Sequence, residues 1–471
     1  MTLPLTLREA ADALRARRTT SVALTESALE RIRALNDRVG AFIAVTDDVA
    51  LAAARRADAD FASGVDRGPL QGIPFGLKDI LATRDAPTTA NSLVLDRAWG
   101  HGYDAVVTER VRAAGAVILG KLVLSEFAIG APDASKPFPV PRNPWDLERT
   151  PAGSSSGTGV AVVTGMVLAG LGTDTGGSVR GPAAACGHTG LKVTFGRVPK
   201  WGCVPLGYTL DSIGPMARSA LDCALVLNVI AGHDRRDPTA ARAKTADYAA
   251  GIDGGVRGLR VGVPVPYFYD HPALQPEVKA ATEAVIDTLA GLGAEVREVA
   301  LPHADLAGHA NGITMMCEAF AYHRVDMAST RWGDYGEGVR QLVARGALYS
   351  GADYVQAQRF RTWFRREAAR VMSEVDVLVT PTTIEPAQRA AEMDPLKRLA
   401  TPSYTGVFNL LGYPALAIPS GVSPSTGMPL SAQIVGAPFA EATVLQVGHA
   451  YQQRTEWHLR VPPIAAEVGV A

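Results

Sequence analysis

Gly72-Ile73-Pro74-Phe75-Gly76-Leu77-Lys78-Asp79 is a mostly apolar run that ends on two charges. A short apolar run bounded by turn formers reads as a buried strand. The segment 72–77 is therefore a strand that delivers Lys78 at its end, a position suited to chemistry. Upstream the spacing predicts two amphipathic helices, about 6–17 and 22–35, the second with Leu24, Leu29, Ile32 and Leu35 on one face. A short strand over 41–45 follows, then an Ala-rich helix to about Ala62 that Asp47 or Asp48 can cap. Downstream come a helix over 104–114, a strand over 117–120, a proline-rich loop from Pro132 to Pro144 and a Gly/Ser stretch from Gly153. Helices separated by short apolar strands indicate an α/β layer fold.

The C-terminal half repeats the pattern, with strands at 259–263, 294–299, 375–380, 415–419 and 430–435 and helices at 275–292 and 440–453. Residues 303–373 break it, with successive helices, no strand signal, and aromatics such as Phe320, Tyr322, Trp332, Tyr335, Trp363 and Phe364. That segment reads as a helix-rich insertion or lid inside one large domain spanning 1–471, since no repeat or long linker divides the chain.

Composition narrows the function. The chain has 471 residues, 47% of them apolar, enough for a large core. The 46 basic residues balance 47 acidic ones, and no basic stretch is interleaved with aromatics, so no nucleic-acid partner is expected. The four cysteines, Cys186, Cys203, Cys223 and Cys317, have neither metal spacing nor the density of a disulfide framework. The N-terminus lacks a signal-peptide plan, and the longest apolar run, 158–172, is too short and Gly-rich to span a bilayer. The expectation is a cytoplasmic protein with no membrane contact, no metal and no cofactor, acting on a small molecule; a homodimer fits this reading.

Two segments carry the chemistry: Ala152-Gly153-Ser154-Ser155-Ser156-Gly157-Thr158-Gly159 and Gly172-Thr173-Asp174-Thr175-Gly176-Gly177-Ser178-Val179-Arg180. Serines set among glycines sit exposed at turns where backbone can approach a ligand, although either segment alone reads as an ordinary loop. Thr175, Gly176, Gly177 and Ser178 can also present successive N–H groups at the start of a following helix, which is how an oxyanion hole is built. A serine nucleophile needs a base. His188, the histidine near these segments, belongs to the turn Cys186-Gly187-His188-Thr189-Gly190 and reads as structural. Lysine can serve if burial lowers its pKa; the alternative for Lys78 is a solvated lysine paired with Asp79. The residues alone leave that choice open.

Taken together, the motifs are specific. Gly72 to Asp79, Lys121-Leu-Val-Leu-Ser-Glu126-Phe127-Ala128, Asn143-Pro-Trp145, the two Gly/Ser segments, Cys186 to Lys192 and Asp211-Ser-Ile-Gly-Pro215 resemble the amidase signature family, over about 5–460. Thr380-Pro381-Thr382 and Gly412 to Pro419 are similar to it as well. The resemblance implies an α/β fold with a mixed central β-sheet flanked by helices, and a Ser-Ser-Lys triad. Ser178 matches the nucleophile, Ser154 a bridging serine at a cis peptide, and Lys78 the base. Ser155 is expected to hydrogen-bond within the site, and Asp174 and Arg180 to act as scaffold. Substrate contacts are assigned by position to Ala128, Ile129, the loop around Phe138 and the aromatic insertion. Ala152, Ser156 and Thr158 depart from the family pattern, which touches loop geometry and not the triad.

Gly153-Ser-Ser155-Ser-Gly157 also satisfies G-x-S-x-G, but a polar loop precedes it where that motif needs a buried strand. No P-loop sequence occurs. The reading placed first is an amidohydrolase of linear amides, with esters or carbamates as side substrates. The alternative is the glutaminase component of a tRNA-dependent amidotransferase, which hands ammonia to a partner. A catalytically inactive binding protein is the third reading, weakened because all three triad positions are filled.

Overall fold

The computed structural model describes residues 4–393 and 401–469. Its strands are β1 Phe42–Val45, β2 Pro74–Lys78, β3 Val117–Leu122, β4 Ala169–Asp174, β5 Thr189–Lys192, β6 Ser212–Ala217, β7 Arg260–Pro264, β8 Glu295–Val299, β9 Val377–Pro381, β10 Ala415–Val422 and β11 Pro429–Gly436. All belong to one sheet in the order β1-β3-β2-β4-β6-β5-β10-β11-β9-β7-β8. β2 runs parallel to β3 and β4, and β7 parallel to β8 and β9; the remaining pairs are antiparallel. The fold is thus a single-domain α/β structure with a large mixed sheet flanked by helices.

The predicted elements are present, shifted by a few residues. β2 ends on Lys78, as the opening run implies. The early helices lie at Leu7–Arg15 and Ser21–Val39, and the Ala-rich one at Asp47–Ala62, although Thr46 rather than an aspartate occupies its N-cap position. β4, β5 and β6 had no counterpart in the sequence reading. They are central, wholly buried and glycine-bearing, so they show no alternation. Close approach explains the glycines: a Cβ at Gly172 would lie 2.5 Å from Met216 Sδ, and one at Gly214 would lie 2.0 Å from Leu191 O.

Between β8 and β9 the chain forms three long helices, Ala304–Met327, Glu337–Gly346 and Gly351–Glu374, and no strand. Their aromatics are spread over different packing environments. Phe364 is fully buried and stacks on Phe360, Tyr335 is buried against Phe127 and His323, and Trp363 faces outward beside His303. Helices packed on one another use large side chains to fill their shared interfaces. Met316, Tyr335 and Val339 pack with Phe127, Ala128 and Ile129, docking the helical segment beside the β3 end of the sheet.

Candidate active site

Lys78, Ser154 and Ser178 meet at the ends of the parallel strands. Lys78 closes β2, with no exposed surface, and its Nζ donates to Ser154 Oγ (2.7 Å) and Thr173 Oγ1 (2.8 Å). The choice left open by the sequence is settled by chain direction. Successive residues of an extended chain face opposite ways, so Asp79 turns from Lys78 and pairs with buried Lys121 at 2.8 Å while accepting from Thr89 N at 3.1 Å. Among the described residues no carboxylate pairs with Lys78. Burial drives its pKa from 10.5 down to about 7, with Cys203, Asp211 and Asp174 opposing from a distance. Near neutrality about half of such lysines carry a free lone pair.

Ser154 is buried, and the Gly153–Ser154 peptide is cis. Ser155 braces the two serine segments together. Its N–H donates to Ser178 O (3.2 Å), its Oγ donates to Thr173 O (3.3 Å), and Thr173 N donates back to that Oγ (3.2 Å). Thr173 itself had no part in the sequence reading. Only the pairing of β2 with β4 brings its hydroxyl to Lys78.

Ser178 lies on the turn between β4 and the helix Arg180–Cys186, where it and Gly176 are the partly exposed residues. Its hydroxyl has no hydrogen-bond partner among the described residues. Of the four expected oxyanion donors, Gly177 is already engaged: its N–H donates to Asp174 Oδ1 at 2.8 Å. Asp side chains commonly hydrogen-bond backbone N–H groups a few residues ahead in a turn, and Asp174 also accepts from Val179 N at 3.1 Å. The N–H groups of Thr175, Gly176 and Ser178 remain unengaged among the described residues. Side chains hold the turn from outside. Thr175 Oγ1 donates to Asp211 Oδ1 (2.6 Å), Thr405 Oγ1 to Gly176 O (2.7 Å) and Asn311 Nδ2 to Thr175 O (3.4 Å).

Asp174 and Arg180 are fully buried and paired, at 3.0 Å between Oδ1 and Nη2. Burial works against the Asp174 charge, but Arg180 beside it holds the carboxyl well below the usual range, with Lys192 and Asn409 adding to the effect. Arg180 also donates to Gln433 Oε1 (2.8 Å) and Asn409 Oδ1 (2.6 Å). These donors and acceptors are committed to one another within the protein, which makes the network framework. His188 is buried, and its Nδ1 lies 2.9 Å from Thr189 O. Burial pushes its pKa down to about 4, the nearby Arg218 adding to the effect against the Thr189 hydrogen bond, so it is a neutral structural residue.

Ala128 and Ile129 are buried beneath the helical segment after two left-handed residues, Phe127 and Ala128. Phe138 is partly exposed and lines a cleft with Asn91, Glu126 and Lys136. Among the described residues no cluster of three or more His, Cys, Asp or Glu side chains could hold a metal ion. No described helix is long and apolar enough to cross a membrane.

The Amidase family model matches residues 23–445, and the chain belongs to the amidase signature family. It is 43% identical to the A subunit of glutamyl-tRNA(Gln) amidotransferase from Chloroflexus aggregans, over 98% of each chain. Among solved structures it resembles a chain from a vestigial complex that traces the origins of an s-triazine catabolic enzyme, with a TM-score of 0.89, 31% identity and 95% of this chain and 98% of that one covered. It also resembles the native peptide amidase of Stenotrophomonas maltophilia, with a TM-score of 0.83, 31% identity and coverage of 97% and 98%.

Proposed function

We propose that the chain cleaves the C–N bond of a carboxamide by acyl transfer to Ser178, and that it does so as the ammonia-releasing component of an amidotransferase. The observation that carries the chemistry is Lys78: fully buried, without a carboxylate partner among the described residues, and 2.7 Å from Ser154 Oγ. A neutral amine there accepts the Ser154 proton as Ser154 takes that of Ser178, and Ser178 Oγ attacks the amide carbon. Hydrogen bonds of this kind tighten once substrate fills the site, so the uncommitted Ser178 hydroxyl suits the role. The developing oxyanion faces the N–H groups of Thr175, Gly176 and Ser178. As the C–N bond breaks, the proton returns through Ser154 to the leaving nitrogen and ammonia departs. Water then attacks the ester by the same relay, releasing the acid and restoring Ser178. No step calls for a metal or a cofactor.

The sequence reading put a stand-alone amidohydrolase first. The relatives support the other order, because the amidotransferase protein of Chloroflexus aggregans matches this chain over nearly its whole length. The likeness to a peptide amidase supports the second reading, hydrolysis of a linear amide without a partner, with esters or carbamates as side substrates. The helices over 304–374 act in either case as the cover of the site, since Asn311 reaches the oxyanion turn. Ammonia release from glutamine, compared with aliphatic amides, anilides and carbamates, decides between the readings when combined with a pull-down for partner proteins. Turnover of anilides but not glutamine, with no partner recovered, would favour the stand-alone enzyme. Loss of Ser178 labelling by a serine-directed phosphonate in Ser178→Ala tests the nucleophile, and absence of labelling in the unaltered protein would leave an inactive binding protein.

A further inference from the structure

A trans peptide unit points its C=O and its N–H in opposite directions, so a donor that grips the carbonyl also aims the N–H of the same unit. The units joining Thr175 to Ser178 are trans, and each of their carbonyls is taken. Thr175 O accepts from Asn311 Nδ2 at 3.4 Å, Gly176 O from Thr405 Oγ1 at 2.7 Å and Gly177 O from Gly181 N at 2.6 Å. These grips set the directions of the N–H groups of Gly176, Gly177 and Ser178 in turn.

The middle unit is pinned at both ends, since Gly177 N donates to Asp174 Oδ1 at 2.8 Å on the side away from Thr405. Both pins lead to one helix, Tyr404–Leu411. Thr405 stands in its first turn. Asn409, one turn further on, donates from Nδ2 to the same Asp174 Oδ1 at 2.8 Å, and Arg180 joins the two by donating to Thr405 O (3.0 Å) and Asn409 Oδ1 (2.6 Å). Gly177 has left-handed φ and leaves the space that the threonine hydroxyl enters, because a Cβ there would lie 2.3 Å from Thr405 Oγ1. A peptide plane held at both ends cannot swing, so the units on either side of it, which carry Gly176 N–H and Ser178 N–H, keep their directions.

Resting on the reading of Ser178 as nucleophile, we propose that Thr405 is a positioning residue for the oxyanion donors: its hydroxyl locks the Gly176–Gly177 peptide and so holds Gly176 N–H and Ser178 N–H on the developing charge. The role needs no contact with substrate. In Thr405→Val a methyl replaces the hydroxyl. Carbon and carbonyl oxygen keep about 3.3 Å apart, against the 2.7 Å of the hydrogen bond, so the peptide is pushed by about half an ångström. A misplacement of about 1 Å can cost about 10²-fold in rate, which sets the expected loss at about tenfold.

The test is the saturation kinetics of Ser178 labelling by a serine-directed phosphonate, whose phosphoryl oxygen takes the oxyanion position. Thr405→Val should lower the maximal labelling rate by about tenfold with half-saturation within about twofold of the parent, the mark of an interaction made in the transition state. Thr405→Ala, which removes the donor without the added methyl contact, should lower it by about fivefold, the worth of one hydrogen bond. Thr405→Ser keeps the hydroxyl and should restore the parent rate. A hydroxyl that serves folding alone would lower the melting temperature of the valine and alanine variants and leave their labelling rates at the parent value. That result, or a serine variant as slow as the valine one, overturns the proposal and leaves Ser178 as nucleophile. Absence of labelling in the unaltered protein overturns the acyl-transfer reading itself.

Discussion

Replacing Lys78 by methionine separates the chemistry from the fold, because the two change in opposite directions. The side chain is fully buried, and the fall of its pKa from 10.5 to about 7 means that the ammonium is disfavoured by about 5 kcal/mol relative to water. Methionine has similar length and no charge to desolvate, so Lys78→Met should melt at the same temperature or higher, having lost only the hydrogen bonds to Ser154 and Thr173. Catalysis should collapse. General-base assistance contributes about 10²–10⁴-fold, and here the base also sets the proton of Ser154, so kcat/KM should fall by about 10³-fold or more, roughly 4 kcal/mol of activation free energy. The pH dependence carries the same signature. With the lysine active when neutral, kcat/KM of the unaltered enzyme should rise with pH and be half-maximal near 7. For stability, the unfolded lysine holds its proton up to 10.5 and the folded one releases it above about 7, so between those values the unfolded state binds more protons and stability rises with pH. Lys192, buried with its pKa likewise pushed down to about 7, contributes a slope of its own, so the slope should fall in Lys78→Met by the Lys78 share, at most about 1.4 kcal/mol per pH unit. Ammonia release at a series of pH values and urea titrations at pH 7 and 9 measure both. A variant that keeps a tenth of its activity, or an unaltered enzyme whose rate is flat from pH 6 to 9, would refute the assignment of Lys78 as base.

Gly177→Ala should cut kcat by about 10²-fold, as expected for a displaced oxyanion donor set, because its φ is +127° and a Cβ would lie 2.3 Å from Thr405 Oγ1; kcat within twofold of the parent would count against the turn. Thr173→Val removes the second partner of Lys78 Nζ and should lower kcat by about 5- to 10-fold, the worth of one hydrogen bond, with melting temperature nearly unchanged. Arg180→Met leaves the Asp174 carboxylate buried without its ion pair and should destabilise the fold by about 3–5 kcal/mol in urea titration; a loss below 1 kcal/mol would show that Asn409 and the backbone suffice.

What the sequence makes legible here follows from how local each signal is. The run 72–79 announces a strand with a lysine at its end because apolar length and flanking turn residues are local properties, and β2 ends on Lys78. Whether that lysine pairs with Asp79 depends on Lys121, more than forty positions away, arriving through the parallel pairing of β2 with β3. The same holds for Thr173, whose value lies in β4 standing beside β2. β4 to β6 escape a hydrophobic-pattern reading for a physical reason: strands buried on both faces at close spacing are built from glycine and small residues, so no alternation exists to be read. The engaged N–H of Gly177 was within reach, since an aspartate three residues ahead in a glycine-rich turn readily accepts from it. In the helices over 304–374 the aromatics Phe364 and Tyr335 are fully buried, because helices packed on one another must first fill their own interfaces. Rings buried in this way report packing between elements, so aromatic density alone does not mark a binding surface.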